Sequence, residues 1–216
     1  MNVATANGMV PANRLDRRKA RTRQALVDAA VRLIAEGRGE RASIQEITEA
    51  ADIGFGSFYN HFAGKEELFQ TASEEVLERW AEIIDTACAG IEDPAEVFAT
   101  SLRISGRLAW THPDIAGFLI GAGLELLDAP SGLAPRALRD IRAGQASGRF
   151  TVLDAEIALS AVAGGLLGLL RLHGRDPVLV AETSVDELAE ACLRLLGLPA
   201  AQARRVARLP VPRSDW

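Results

Sequence analysis

The stretch from Ser43 to Lys65, SIQEITEAADIGFGSFYNHFAGK, decides the architecture of the amino-terminal part of the chain. Ser43 and Glu46 have the spacing of a capping box, in which the hydroxyl accepts from the amide of Glu46 and the carboxylate reaches back to the amide of Ser43. This pattern predicts a short helix. Asp52 then stands where the chain must turn, because aspartate tolerates the left-handed conformation better than most residues. A second short helix is predicted over 54–61.

A longer helix is predicted before this stretch, over about 16–36. Its apolar stripe is followed by two glycines that end it, Gly37 and Gly39. Together the three helices form a small unit with an apolar core. The remaining side chains of the second short helix lie on other faces, and they are Phe55, Ser57, Asn60 and His61. A short helix with a narrow polar and aromatic face has the width of the DNA major groove.

Basic side chains are concentrated near the amino terminus. The chain carries 24 Lys and Arg against 29 Asp and Glu, and this net charge of −5 by itself argues against a nucleic-acid partner. Counted by segment, residues 1–65 carry +3 and residues 66–216 carry −8. Six basic residues fall between Arg14 and Arg23, with only Asp16 opposing them. Such an arm can neutralise backbone phosphates or reach a minor groove, although basic runs are also common on solvated faces.

Helical spacing continues through the rest of the chain, and no alternation long enough for a strand interrupts it. The fold class is therefore all-α, with an N-terminal three-helix helix-turn-helix domain followed by a larger helical domain. We place the helix-turn-helix domain at 14–63 and the larger domain at 64–200, between tails at 1–13 and 201–216. The second tail is predicted because Leu209-Pro210-Val211-Pro212 cannot continue a helix. The further helices are predicted at about 64–90, 93–111, 113–127, 136–147, 155–173 and 185–196.

Composition argues against secreted and membrane proteins. Two cysteines, Cys88 and Cys192, are too few for a disulfide scaffold. No apolar run follows a positive stretch at the amino terminus, so no signal peptide is predicted. The uncharged apolar stretch from Ile157 to Leu170 is shorter than the roughly 20 residues that span a bilayer, and a buried helix is the favoured interpretation. We therefore expect a cytoplasmic protein with no membrane partner.

No arrangement of residues predicts catalysis or metal binding. The three histidines are scattered, and none has metal-ligand spacing with Cys, Asp or Glu. Gly54-Phe55-Gly56 lacks the third glycine and the preceding strand of a phosphate fingerprint. Both cysteines fall on apolar helix faces, where an inert thiol is more common than a nucleophile. The chain is therefore expected to be no enzyme and to need no metal and no cofactor.

The motifs themselves resemble a known family. The run RQALVDAA at 23–30, SIQEI at 43–47 and GSFYNHFAGKEEL at 56–68 is similar to the signature of the tetracycline-repressor (TetR) family of bacterial regulators. The most specific parts are the tyrosine and phenylalanine three apart, followed by the lysine and leucine three apart. The resemblance implies a homodimer with an N-terminal DNA-binding unit and a C-terminal domain for ligand binding and dimerisation.

The resemblance also implies roles at single positions of the DNA-binding unit. By position, Tyr59, His61 and Lys65 would hold phosphates, Ser43 would add a phosphate contact, and Phe55, Ser57 and Asn60 would face bases. From the arm, Arg17, Arg18 and Arg21 are the candidate phosphate contacts. Two positions depart from the family pattern. Gly54 stands where Ser or Thr is common, which removes a cap and a hydroxyl, and Phe55 stands where a polar or basic residue is common, so its plausible contact is a thymine methyl.

In the family, the last two long helices of each subunit form a four-helix bundle across the two-fold axis. The helix at 155–173 is apolar nearly all round, so it needs a cover on both sides. The alternative is that its faces pack within one subunit. The candidate dimer-interface residues are Leu159, Val162, Ala163, Leu166, Leu167, Leu170, Leu188, Cys192 and Leu195.

An effector pocket is predicted among the helices from Leu68 to Leu127, with a wall from the helix at 155–173. Apolar stripes at helical spacing are more often core than pocket, and that alternative stays open for each residue. The composition favours an apolar or amphipathic effector. The candidate pocket residues are Trp80, Phe98, Ser101, Leu102, Ser105, Arg107, Trp110 and Phe118.

These observations predict a ligand-responsive transcriptional regulator. We expect a repressor that binds a palindromic, double-stranded DNA operator as a homodimer and is released by a small-molecule effector. The competing hypothesis is a helical ligand-binding or protein-interaction module without an operator, whose basic arm meets an acidic partner. A gel shift with the DNA that flanks its own gene distinguishes these two hypotheses.

Overall fold

The computed structural model describes residues 14–152 and 154–212, and within these residues all regular structure is helical. The all-α class is therefore confirmed. The predicted tail at 1–13 lies outside the described residues. The helices are α1 Arg14–Ala35, α2 Ile44–Ala50, α3 Phe55–Phe58, α4 Lys65–Cys88, α5 Pro94–Thr111, α6 Pro113–Ala122, α7 Leu133–Ala146, α8 Ala155–Arg175, α9 Thr183–Leu195 and α10 Ala200–Ala207, with 3₁₀ turns at Gly39–Arg41 and Gly123–Asp128.

Helices α1 to α3 form a small unit, here called the head. Its capping box and its turn are those predicted from the sequence. The capping box at α2 is confirmed, since Ser43 Oγ accepts from the Glu46 amide and the Glu46 carboxylate accepts from the Ser43 amide. Asp52 is confirmed in the left-handed region, at φ 55°. Helix α3 is shorter than predicted and ends at Phe58, because the amides of Asn60 and His61 bond to carbonyls three residues back and residues 59–61 continue as tight turns.

The core of the head is continuous and filled. Phe58 and Phe62 pack against apolar side chains of α1, α2 and α4, and Phe58 is completely buried. Arg23 of α1 lies over the Phe62 ring, 5.1 Å from its centroid, and forms an ion pair with Glu75 of α4. The head therefore rests on α4, mainly through α1.

Helices α4 to α10 form the remainder, here called the body. Helix α5 lies at its centre and contacts α4, α6, α7, α8, α9 and α10. The cap at Asp93 and the proline at the first position of α5 are confirmed. Across α5, the buried guanidinium of Arg103 pairs with Asp186 of α9 and donates to the carbonyl of Leu209. This pair ties the centre of the body to its carboxyl-terminal segment.

Two predicted boundaries of the body are wrong. Helix α7 begins at Leu133 rather than at residue 136, because a proline in a first helical turn, here Pro135, lacks only an amide that has no intrahelical partner. The predicted tail at 201–216 contains α10, whose Ala203, Val206 and Ala207 are buried in the main body core. The prolines that suggested a tail lie after this helix, and residues 213–216 lie outside the described residues.

Helix α8 has the length and composition of a membrane-spanning helix. Core helices of proteins without a membrane segment pass the same test, so this is weak evidence for a membrane. Helix α8 packs against α5, α6, α7 and α9. Its first turn is capped by the side chain of Asp154. We interpret α8 as a body helix.

The head and the body meet where α6 crosses the end of α1. A β-carbon at Gly121 would lie 2.5 Å from the carbonyl oxygen of Ile34, and one at Gly117 would lie 3.1 Å from that of Ala35. Glycine is therefore required for this close approach. The contact places the end of α1 directly on a helix that borders the interior of the body.

Candidate DNA-binding surface and effector cavity

The predicted base-reading face of α3 is exposed. Phe55 and Tyr59 are 54% and 56% exposed, high values for large aromatic side chains, and their rings meet edge to face with centroids 6.0 Å apart. Asn60 is exposed beside them and Ser57 is half-buried. Phe58, between them, points into the core. The head thus presents an aromatic and polar ridge that nothing in the described chain covers.

The predicted arm lies next to this ridge. Arg17, Arg18 and Arg21 are exposed on the first turns of α1. Arg18 and Arg21 line an open groove whose other wall is formed by Asp52 and Ile53, the turn that leads into α3. The structure therefore places Arg18 and Arg21 of the predicted arm beside the turn that leads into the predicted base-reading helix.

The other predicted phosphate contacts surround the same surface. Lys65 Nζ lies 3.4 Å from the carbonyl oxygen of Ala42, which places it next to Ser43. The amide and hydroxyl of Ser43, with Arg38, hold the pKa of the Glu46 carboxyl below its usual range. Burial and the nearby charges of Lys19 and Arg23 lower the pKa of the His61 imidazole.

The body encloses a cavity of about 110 Å³. Helices α4, α5, α7 and α8 form its walls, together with the 3₁₀ turn after α6, and the lining is largely apolar. Four of the predicted pocket residues line it, namely Phe98, Ser101, Leu102 and Ser105. Both serines belong to α5 and stand one helical turn apart.

The other four predicted pocket residues lie elsewhere. Phe118 is fully buried in the apolar core around α6. Trp80 and His112 line a separate open groove between α4 and the start of α6. Trp110 stacks on His173 with ring centroids 4.2 Å apart, and Arg107 extends to Asp186. Helical periodicity identified α5 as a pocket wall but did not distinguish its cavity face from its core faces.

One end of the cavity is charged, which no local sequence pattern indicated. Asp85 of α4 and Arg136 and Asp140 of α7 line it. Arg136 Nε donates to Asp85 at 2.7 Å and its Nη2 donates to Glu78 at 2.6 Å. These bonds lower the pKa of both Glu78 and Asp85, although burial opposes the shift at each.

Asp140 is the most enclosed carboxylate of this end. Its side chain is 13% exposed, and burial raises its pKa despite a 2.8 Å hydrogen bond from Arg139. In the sequence, Arg136 and Asp140 stand four residues apart on an amphipathic helix, which is also the spacing of a solvated helix face. Asp85 is 51 residues from Arg136, so no local pattern could join them.

The predicted dimer-interface residues lie mainly inside a single subunit, which corrects that prediction. Leu159, Val162, Ala163, Leu166 and Leu167 line the cavity. Leu170 and Cys192 are buried in the cores, Leu188 packs against them, and Leu195 is 46% exposed. Because α8 is apolar nearly all round, its sequence could not indicate which face looks inward. Its exposed strip up to Arg171 consists of Glu156, Ile157, Ser160, Ala161, Gly164, Gly168 and Arg171.

The fold and these two sites define a helix-turn-helix DNA-binding protein with a ligand cavity in a helical body. Family models agree with both parts. The model described as bacterial regulatory proteins of the tetR family matches residues 26–72, and the tetracyclin repressor-like C-terminal domain matches residues 93–209. The second match alone covers more than half of the chain.

Solved structures give the same answer over nearly the full length. RolR in complex with resorcinol is 35% identical, with a TM-score of 0.70, covering 91% of this chain and 98% of RolR. Ligand-free RolR is 36% identical, with a TM-score of 0.71, covering 88% of this chain and 98% of RolR. FadR of Bacillus halodurans is 21% identical with a TM-score of 0.66, a likeness in fold alone.

Curated relatives match over shorter lengths. The transcriptional regulator TcmR of Streptomyces glaucescens is 28% identical over 64% of this chain, and the nicotine-responsive repressor HdnoR of Paenarthrobacter nicotinovorans is 35% identical over 33%. The matched regions span 61% and 37% of these two relatives. The chain belongs to the TetR family of bacterial transcriptional regulators.

Proposed function

We propose that the protein is a cytoplasmic homodimeric repressor that binds an inverted-repeat operator and is released by a small aromatic effector. The observation that carries the DNA half is the ridge of α3, where Phe55 and Tyr59 are more than half exposed beside the arm. An exposed aromatic pair on a helix is costly unless a partner covers it. Thymine methyl groups and phosphates supply such a partner. A regulatory role without catalysis follows from the family.

We place the two-fold axis on the exposed strip of α8. Apart from the backbone of their own helix, no atom of the described chain lies within 4 Å of a β-carbon built at Gly164 or Gly168. Ile157 is 70% exposed at one end of the strip, and Leu195 of α9 is exposed as well. Small residues allow two copies of α8 to approach closely. The two α3 helices would then enter successive major grooves, about 34–36 Å apart.

The cavity supports an effector of one aromatic ring. An engineered apolar cavity of about 150 Å³ takes up benzene, whereas sites for drug-sized ligands measure roughly 300–1,000 Å³. At about 110 Å³, the cavity is of the size that takes a single aromatic ring and is too small for a drug-sized ligand. RolR, similar over nearly the whole chain, was solved with resorcinol, a single ring with two hydroxyl groups. We therefore propose a hydroxylated benzene as the effector class.

The charged end of the cavity offers a route from effector to operator. Asp85 lies on α4, and the ion pairs of Arg136 tie α7 to this helix. Helix α4 begins at Lys65, directly after the base-reading segment, and carries the Glu75 partner of Arg23. A ligand that prefers one arrangement of α4 and α7 would change the spacing of the two heads. It can do so only through its difference in affinity for the two states.

The test is operator binding and its release. DNA flanking the gene of this protein is labelled and titrated with purified protein, and a footprint locates the site. We expect a protected inverted repeat, two chains per repeat, and loss of the complex on addition of resorcinol. If the protein shifts none of the flanking DNA, the proposed operator binding is wrong. If no hydroxylated benzene releases the complex, the proposed effector class is wrong.

Two single variants test the residue assignment. Tyr59→Ala and Lys65→Ala should each weaken operator binding by about tenfold or more, since a charge-assisted contact contributes about 1.5–3 kcal/mol and 1.4 kcal/mol is tenfold. Arg142→Ala serves as the control, because its side chain is exposed on α7 in the body. Equal affinity of all three variants would remove these residues from the DNA contact.

A further inference from the structure

We infer that the cavity admits neutral ring compounds whose hydroxyl groups donate hydrogen bonds, that it excludes aromatic carboxylates of the same size, and that Asp140 determines this choice. The inference rests on the proposed effector site. It goes beyond the size of the ligand, because it specifies which chemical groups the ring must carry.

In this structure the serines of α5 donate to the backbone of their own helix and therefore offer acceptor lone pairs to a ligand. Ser101 Oγ donates to the carbonyl oxygen of Val97 at 2.9 Å, and Ser105 Oγ donates to that of Ser101 at 2.9 Å. A hydroxyl has a single hydrogen and two lone pairs. Each hydrogen is therefore already used, and what faces the cavity is lone pairs. The Cys88 thiol lies 3.4 Å from Ser101 Oγ, close enough to donate a hydrogen bond to one of the lone pairs of this hydroxyl.

Arg136 is the only guanidinium that lines the cavity in the described chain, and its hydrogens are mostly committed. Its Nε donates to Asp85, its Nη1 to Glu78 and to the carbonyl of Gly132, and its Nη2 to Glu78. Four of the five N–H groups of the guanidinium are therefore used. Its positive charge is also shared between two carboxylates, so little remains to attract an anionic ligand.

Asp140 makes the charged end net acidic. Glu78, Asp85 and Asp140 face Arg136 and Arg139, which leaves one negative charge in excess. Asp140 Oδ1 accepts a hydrogen bond from Arg139, whose own side chain is 56% exposed. A ligand hydroxyl would give this enclosed carboxylate a second donor. A ligand carboxylate would instead add a like charge where solvent screens little.

The experiment compares three ligands of similar size on the full-length protein by calorimetric titration at pH 7.5. Resorcinol offers two neutral donors, phenol offers one, and 3-hydroxybenzoate replaces one hydroxyl with a carboxylate. We expect resorcinol to bind about tenfold more tightly than phenol and at least about 100-fold more tightly than 3-hydroxybenzoate, since a hydrogen bond to a charged group contributes about 1.5–3 kcal/mol.

Variants at Asp140 assign the discrimination to this residue. Asp140→Asn should weaken the binding of resorcinol by about tenfold and strengthen the binding of 3-hydroxybenzoate by about tenfold. The ratio of the two affinities should therefore fall about 100-fold. Asp140→Glu keeps the charge and should keep the ratio. Asp128→Asn removes an exposed charge at the end of the 3₁₀ turn and should also leave it unchanged. Operator binding without ligand verifies that each variant is folded.

The outcomes separate this inference from the proposed function. If 3-hydroxybenzoate binds within threefold of resorcinol, or if Asp140→Asn leaves the ratio unchanged, the inference is overturned while the effector site stands. If operator DNA is bound but neither resorcinol nor phenol binds, the effector half of the proposed function falls and the inference falls with it. Should Asp140→Asn not fold, Asp140→Ser removes the same charge and takes its place, and the three-ligand series on the unaltered protein still tests the exclusion of carboxylates.

Discussion

The head and the body use their interiors in opposite ways. The head has a filled core, with Phe58 completely buried, and its candidate functional side chains stand outside on α3 and the arm. The body is built around a cavity, and its candidate functional side chains point inward from α4, α5 and α7. Charges follow the same division. The arm of the head is exposed, whereas Arg103 and Asp140 of the body are largely enclosed.

Because of this difference, function and stability depend on different residues in the head and on the same residues in the body. Exposed side chains outside a filled core can be removed with little loss of stability, because neither packing nor a buried charge is disturbed. An enclosed charge cannot be removed in this way, because its partner is then buried without a neutralising charge and the protein is destabilised. We therefore expect variants of the head to lose DNA binding alone, and variants of the body to change stability and ligand response together.

The largest effect is expected in the arm. Replacing Arg17, Arg18 and Arg21 with alanine removes six charges from the proposed dimer. Each phosphate contact contributes about 0.9 to the slope of log affinity against log salt, so the slope should fall by about 5 and the affinity at 0.15 M salt by about 10⁴-fold. Fluorescence anisotropy at several salt concentrations measures both quantities. The thermal midpoint should stay unchanged.

A charge-matched triple variant provides the control for the arm. Arg142, Arg175 and Arg208 are exposed in the body, and replacing them with alanine changes the net charge equally. The slope should then remain that of the unaltered protein. If both triple variants lower the slope to the same extent, the effect belongs to net charge and the head has no special role.

The next effect concerns the enclosed charges of the body. The Arg103 side chain is 6% exposed and pairs with Asp186 at 2.7 Å. Asp186→Ala should cost about 3–5 kcal/mol in the free energy of unfolding, because it leaves the guanidinium buried without its carboxylate. Glu156→Ala breaks the exposed pair with Arg142 and should cost less than about 1 kcal/mol. Denaturant titration of both variants tests the contrast, which fails if the two costs are equal.

Filling the cavity should have a smaller effect on stability and the opposite sign. Ala137 lines the cavity from α7, whereas Ala143 of the same helix is exposed. Ala137→Leu is expected to stabilise the body by about 0.5–2 kcal/mol and to abolish release by resorcinol, with operator binding retained. Ala143→Leu should change neither property. If resorcinol released the Ala137→Leu variant from operator DNA at the same concentration as the unaltered protein, the effector would bind outside this cavity.

The same division explains how much the sequence could predict. In the head, local signals were sufficient: the capping box at Ser43 and the left-handed turn at Asp52 each depend on neighbouring residues. In the body, Asp85 meets Arg136 across 51 residues of sequence, and no charge between Ile157 and Leu170 distinguishes the inward face of α8 from its outward face. Periodicity predicts that a helix has a buried side, but it does not indicate whether that side meets a core, a cavity or a second subunit.

The smallest effect is expected at the cap of α2, where the head does couple a functional residue to stability. Ser43→Ala should cost about 1 kcal/mol at pH 7, because it removes the hydroxyl that accepts from the Glu46 amide. Ser43 also holds the pKa of Glu46 below its ordinary 4.5. That stabilisation is present above the unfolded pKa and is lost as the pH falls through the folded pKa. The gap between Ser43→Ala and the unaltered protein should therefore narrow below pH 4.5 in denaturant titrations, while Ser43→Thr keeps the cap. A gap that is constant from pH 7 to pH 3 would show that the Glu46 carboxylate does not depend on the Ser43 hydroxyl.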